Sequence, residues 1–281
     1  MPRWTLAAAL ALVPASPVAA QEMRDFTTSR QLHGESRLDT RLEFAAGSLR
    51  LHAGNAKELY RMRLSYDAER FVPLSRFDPA AGSARLGVES NGRSGIRVSS
   101  RSQLRQDATV TLSPEVTLAL DIELGAVEAD IDLGGLRLAD LRLETGASRT
   151  LIRFSRPNTT RCGSAVIESG AAEVALVGLG NSRCQRISFS GGVGTATVDL
   201  GGTWTSDATL DLSMTMGELT LRLPKSVGIR VVMDKFLSSF PSAGFVRDGD
   251  TYSTPGYARA ARKVEIQLSS TIGGVAVEWM P

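Results

Sequence analysis

Glu128, Asp130 and Asp132 are the residues whose type and spacing could do chemistry. Alternate positions of a strand share one face and step by about 7 Å, so three carboxylates would stand in a row. Such a row could hold Ca²⁺ through oxygen ligands or supply an acid–base pair for glycoside cleavage. A solvated outer face has the same pattern, with Arg149 and Arg153 of the following repeat as cross-strand partners. Exposed pairs of that kind contribute roughly 0–1 kcal/mol each. The nearest aromatic residue is Phe154, so the row lacks a surface on which a sugar ring could stack. We therefore expect a solvated face, with Glu128, Asp130 and Asp132 as weak ligand-face candidates.

Other chemistry finds little support. His33 and His52 are the only histidines, and neither has a second ligand at metal spacing, so no zinc site or His-centred triad is expected. There is no G-x-S-x-G or P-loop, and Gly192-Val-Gly194 reads as a turn between strands. Catalytic residues, cofactor and metal are all expected to be none. A net charge of +2, with interspersed charges, argues against nucleic acid. Lys57, Lys225, Lys235 and Lys263 are the only lysines among 32 basic residues.

The elements that must position these residues form a repeat. A Gly or small turn followed by an alternating apolar run recurs over 124–133, 145–154, 169–179, 192–200 and 216–223. The runs end on Leu133, Phe154, Leu179, Leu200 and Leu223. A recurrence at 20–50 residues marks an array whose units bury their apolar faces against their neighbours. Each unit reads as two short strands, one before the Gly phrase and one after it. This predicts an all-β fold, a single-stranded, parallel β-helix-like β-solenoid of about 21–25 residues per coil. The five terminal residues should form one internal ladder. An antiparallel sandwich, which also has short strands and frequent turns, is the alternative. Cys162 and Cys184 occupy nearly the same place in successive units, and strands about 4.8 Å apart lie within reach of a disulfide. A disulfide between them is expected rather than two free thiols.

Residues 1–20 read as a signal peptide: Arg3, an apolar stretch over 6–13, then Val-Ala-Ala before Gln21. No later segment is long and apolar enough for a transmembrane helix. The expectation is an exported chain, periplasmic or at the cell surface. Residues 21–37 are polar and aperiodic and read as a flexible lead-in. Residues 38–281 should form the solenoid domain, with short strands as far out as Ile96 and Val98. An irregular aromatic insert at 234–261 would serve as the C-terminal cap over one open strand edge.

Several stretches resemble the LiaF-related, toast-rack group of bacterial cell-envelope proteins. They are IELGAVEADIDLGGL at 122–136, LETGAS at 143–148, LPKSVGI at 223–229, Gly244-Phe245, Tyr252 and GGVAV at 273–277. The opening FAAGSLRL at 44–51, with Tyr60, is similar as well. The resemblance spans most of 38–279 and implies a β-solenoid or stacked parallel sheet without a catalytic signature. The function this suggests is a non-catalytic exported envelope module with a structural, interaction or stress-sensing role. Its partner would be a protein or another envelope component. The alternative is a polysaccharide-binding or polysaccharide-cleaving solenoid, or a surface adhesin.

Overall fold

The computed structural model describes residues 22–91, 106–234 and 240–281. The signal peptide read over 1–20, the strand read around Ile96 and Val98, and residues 235–239 of the insert lie outside them. The described residues form one 16-stranded sheet. Its N-terminal part is β1 (Met23–Gln31), β2 (Arg37–Ala53), β3 (Glu58–Asp67), β4 (Phe71–Asp78), β5 (Ser83–Ser90) and β6 (Asp107–Leu112). The middle is β7 (Thr117–Asp132), β8 (Arg137–Thr145), β9 (Arg149–Arg153), β10 (Cys162–Val177), β11 (Cys184–Asp199) and β12 (Ala208–Pro224). The end is β13 (Gly228–Asp234), β14 (Val246–Asp248), β15 (Thr251–Ser253) and β16 (Lys263–Met280).

The middle is the solenoid. Glu128 pairs with Arg149, Arg149 with Glu173, Glu173 with Thr195, Thr195 with Glu218, and Glu218 with Gly274, all in parallel. The chain therefore returns to the same height once per repeat. Inside each coil the alternation does the work, as in β12, where Leu210, Leu212, Leu219, Leu221 and Leu223 point inward and are buried. Fully burying one such side chain is worth about 1.5–3 kcal/mol. The two strands expected per unit turn out to be one bent strand in β7, β10, β11, β12 and β16. In the coil between β7 and β10, β8 and β9 are separate, broken at 146–148.

The expected ladder forms with one offset. Leu133 and Leu200 sit directly beyond pairs that continue onto Phe154 and Leu223, through Leu133 N–H to Arg153 C=O and Leu200 N–H to Arg222 C=O, both 2.9 Å. Phe154 N–H donates to Val177 C=O at 3.0 Å, so the residue beside Phe154 is Gly178, in the left-handed region at φ 73°. Leu179 is thus displaced by one position, though it is buried like the other four. The displacement starts a short 3₁₀ turn at Leu179–Ser182.

The turn side of the coils is held by buried asparagine. Asn158, fully buried, donates from Nδ2 to Leu138 C=O (2.8 Å) and Ser182 C=O (3.0 Å) and accepts from Leu138 N–H (2.9 Å). It ties three successive coils where no strand pairing reaches. This follows from the need to satisfy buried backbone groups.

The two ends of the stack leave the parallel pattern. The lead-in expected over 21–37 is instead largely β1, paired antiparallel with β3 from Met23↔Asp67 to Gln31↔Glu58. Its polar composition suits an edge strand that buries little, and its order comes from a partner strand 27 to 44 positions away (Gln31 to Glu58 and Met23 to Asp67). β3 pairs antiparallel with β6, and β4 with β5. At the other end β13 runs parallel to the first half of β16, and β15 and β14 follow antiparallel. The insert is therefore only partly irregular. Phe240 packs on Tyr252 and Phe245, with ring centroids 4.7 and 5.4 Å apart, and Phe245 on Trp279 at 5.0 Å.

Candidate functional site

Glu128, Asp130 and Asp132 project outward from the second half of β7, as their spacing requires. Arg153, on the neighbouring coil, sits 2.8 Å from Asp130 and 3.3 Å from Asp132. Asp132 Oδ1 also accepts from Gly134 N–H and the Ser155 hydroxyl, both at 2.9 Å. Partial burial works to raise the Asp132 carboxyl, but these hydrogen bonds, with those from Ser155 N–H and Arg153, bring it below its ordinary value. Asp132 is a turn-forming residue, and Asp199 repeats the turn in a later coil by accepting from Gly201 N–H at 2.7 Å. Arg149 does not serve the acidic row as expected. It reaches the other way, to Glu173 at 3.0 Å. Among the described residues, no group of three or more His, Cys, Asp or Glu side chains is arranged to hold a metal ion.

Cys162 and Cys184 are disulfide-bonded, directly opposite each other in the β10–β11 pairing with Cα atoms 4.1 Å apart.

A concavity lies elsewhere, along the bend of the strands. It is a groove of about 830 Å³ lined by Glu43, Glu123, Glu144 and Glu168, by Ser190 and Ser213, and by the bend glycines Gly125, Gly146, Gly170 and Gly192. The register explains the alignment, since Glu43 pairs with Glu123, Glu123 with Glu144, Glu144 with Glu168, Glu168 with Ser190, and Ser190 with Ser213. Four stacked carboxylates would repel one another at about 4.8 Å, and arginines separate them. Arg41 bridges Glu43 (2.7 Å), Asp121 (3.2 Å) and Glu123; Arg85 holds Glu43 at 2.6 Å; Arg142 spans Glu144 and Glu168 (3.6 Å). The hydrogen bond from Arg85, with that from Arg41, holds the Glu43 carboxyl below its ordinary value.

Sequence reasoning passed over this groove. Its signal was a Glu two residues before the bend Gly in three successive repeats, at Glu123, Glu144 and Glu168. That regularity was visible, but nothing local says that the strand bends there so as to leave a concave outer wall.

At the C-terminal cap, Tyr257 donates its phenol to Glu265 at 2.9 Å, beneath the Arg230 guanidinium at 4.2 Å from the ring centroid. Burial, then the hydrogen bond and charge of Glu265, push this phenol up to about 12 from an ordinary 10. A group held protonated in this way contributes stability that is intact below pH 10 and is lost as pH rises towards 12. We predict that Tyr257→Phe removes one late-ionising phenol from a tyrosinate absorbance titration, leaving that of Tyr60, which burial also raises, and flattens the fall of stability over that window. A wild-type titration in which every phenol ionises near pH 10 would contradict this assignment.

No helix among the described residues is long and apolar enough to cross a membrane. A family model described as the N-terminal domain of toast_rack, DUF2154, matches residues 19–177. No curated protein matches the chain. Among solved structures, a provisionally named cell adhesion protein from Clostridium sporogenes shares 16% identity over 92% of this chain and 100% of its own, with a TM-score of 0.52. A provisionally named adhesin from Bacteroides fragilis shares 11% identity over 91% of this chain and 97% of its own, with a TM-score of 0.40.

Proposed function

The chain belongs to the toast-rack family, and on that premise we propose that it is an exported, non-catalytic β-solenoid module of the bacterial cell envelope that binds an envelope component along its bend groove. The observation that carries this reading is the pairing of the outward carboxylates. The carboxyl pKa values of Glu43, hydrogen-bonded by Arg85 and Arg41, and of Asp132, hydrogen-bonded by Gly134 N–H, Ser155 and Arg153, are both lowered rather than raised. A general acid needs the opposite shift. A groove lined by alternating charges, hydroxyls and exposed glycine backbone suits an extended partner that makes many modest contacts. The disulfide accords with an oxidising compartment outside the cytoplasm. The adhesion role in the name of the Clostridium sporogenes protein agrees with this reading, though the likeness itself reaches only to the fold.

Polysaccharide binding is the second reading. It is favoured by the Ser190 and Ser213 hydroxyls and the Glu carboxylates, which line one groove at the strand spacing.

The test is incubation with a glycan panel and with envelope extract, for the wild type and for Glu144→Lys/Glu168→Lys. The expected result is saturable binding of one component, weakened at least about tenfold in the variant, which corresponds to ~1.4 kcal/mol, and no release of reducing ends. A purified glycan as that component would select the second reading. Glycan cleavage, or binding indifferent to the double substitution, would refute the groove as a non-catalytic binding site.

A further inference from the structure

The acidic row has basic neighbours on its own face. Arg50 and His52 stand two residues apart on the outer side of β2, and the register sets Arg50 beside Asp130. Asp130 does not answer it. Its carboxylate is taken from the other side by Arg153 at 2.8 Å, and Asp132 is taken by Arg153 and the Gly134 turn. Among the described residues Arg50 has neither an ion-pair nor a hydrogen-bond partner. Arg156, just beyond β9, is also without a carboxylate. Its guanidinium lies on the Gly134–Gly135 turn, where Nη2 donates to Gly134 C=O at 3.4 Å and a Cβ on Gly135 would meet Nη2 at 2.7 Å.

Arg50, His52, Arg153 and Arg156 line one concavity of about 470 Å³, which Asp130 and Asp132 also line. Three guanidiniums against two carboxylates leave one positive charge in excess. The next rung, Asp107 and Glu128 against Arg149, takes one charge away, and Arg63, across Thr109 on β3, restores it. The Asp107 carboxylate is itself engaged by the Ser48 hydroxyl at 2.5 Å. The concavity lies on the second half of the strands, outside the bend groove, and is independent of what that groove binds.

We infer that this concavity is an anion site for a phosphate group, held between the Arg50 and Arg156 guanidiniums. Shape selects phosphate over a carboxylate. β2 and β9 are two strand spacings apart, about 9.6 Å, so the two guanidiniums reach the ligand from opposite sides. A planar carboxylate turns both oxygens one way and is filled by a single guanidinium fork, whereas a tetrahedral phosphate presents oxygens to both sides. His52 Nδ1–H donates to Ala53 C=O at 2.9 Å, which leaves Nε2 to accept from a P–OH, or to donate to a phosphate oxygen when the ring is protonated. The competitor is Asp130, whose carboxylate holds Arg153 and stands beside Arg50. A soluble phosphate ester and the headgroup of an anionic phospholipid both carry this chemistry.

The chain has only two histidines, His33 and His52, so imidazole NMR reads the site directly. Inorganic phosphate and glycerol phosphate are titrated into the full mature chain at constant ionic strength and pH ~7.5, where an ordinary imidazole is mostly neutral. The His52 signals are expected to shift saturably with a midpoint near ~1 mM, while His33, outside the concavity, stays still. Arg50→Gln/Arg156→Gln, both at exposed sites, should bind at least about tenfold more weakly. Arg76→Gln/Arg186→Gln, an equal loss of exposed charge elsewhere, should bind like the wild type. Asp130→Asn removes the competing carboxylate and should bind phosphate more tightly. Co-sedimentation with phosphatidylglycerol vesicles, lost in Arg50→Gln/Arg156→Gln, would assign the phosphate to a lipid headgroup, and binding of the soluble phosphates alone would assign it to a free ester. A His52 signal that ignores phosphate up to ~50 mM overturns the proposal. So do equal shifts at His33, acetate acting as strongly as phosphate, weaker binding in Asp130→Asn, or full binding in Arg50→Gln/Arg156→Gln.

Discussion

Gly217→Ala is expected to destabilise the fold by about 3 kcal/mol or more, measured as a lowered urea midpoint with an unchanged m-value. Gly217 has φ 136°, a backbone region in which non-glycine residues cost of order 1–3 kcal/mol. A Cβ there would also be driven into the carbonyl oxygen of Gly194, the residue paired with it one coil back. Gly194 and Gly273 repeat both features, at φ 138° and 132°. The column is in register through β11, β12 and β16, so the backbone cannot shift in one coil without dragging its neighbours. Gly274, the next residue along β16, provides the control. A Cβ at Gly274 meets nothing within 4 Å, and its φ is not positive. Gly274→Ala should therefore stay within about 0.5 kcal/mol of wild type. Equal effects at the two sites would show that the backbone at Gly217 is not conformationally fixed.

Removing the disulfide with Cys162→Ala/Cys184→Ala is expected to cost about 3 kcal/mol, the chain-entropy value for a loop of this length. The two residues are 22 apart and fully buried, and they face each other in the β10–β11 register. The bond closes one whole coil of the solenoid. Without it, the turn at Leu179–Ser182 keeps its tie to the neighbouring coil through Asn158 and its internal hydrogen bond from the Ser182 hydroxyl to Leu179 C=O. The variant should then still fold, with lower protection of β10 and β11 amides in hydrogen exchange. A loss below about 1 kcal/mol would mean that stacking alone already restricts the coil in the unfolded ensemble.

The parts of this protein that were legible in its sequence are those set by near neighbours. The Gly phrase and the apolar alternation recur because each coil must bury the same face against the coil before and after it. Leu133, Phe154, Leu200 and Leu223 align for that reason, and Cys162 meets Cys184 because they occupy equivalent places in adjacent coils. Leu179 slipped by one because a left-handed Gly178 opens a short turn, a conformational choice that the hydrophobic pattern does not carry.

What only the tertiary structure decided depends on residues far apart in the chain. β1 looked like a disordered lead-in because its order rests on an antiparallel partner beyond β2. Arg149 and Arg153 lie four positions apart on one face of one strand, yet they reach opposite ways, since each finds the carboxylate that the stacking brings within reach. The groove exists because successive strands bend at the same height, which stacks Glu43 on a residue 80 positions later. The direction of a bend is a property of the assembled stack. Local alternation determines that a coil forms, and the sum of coils determines which surface is left to bind.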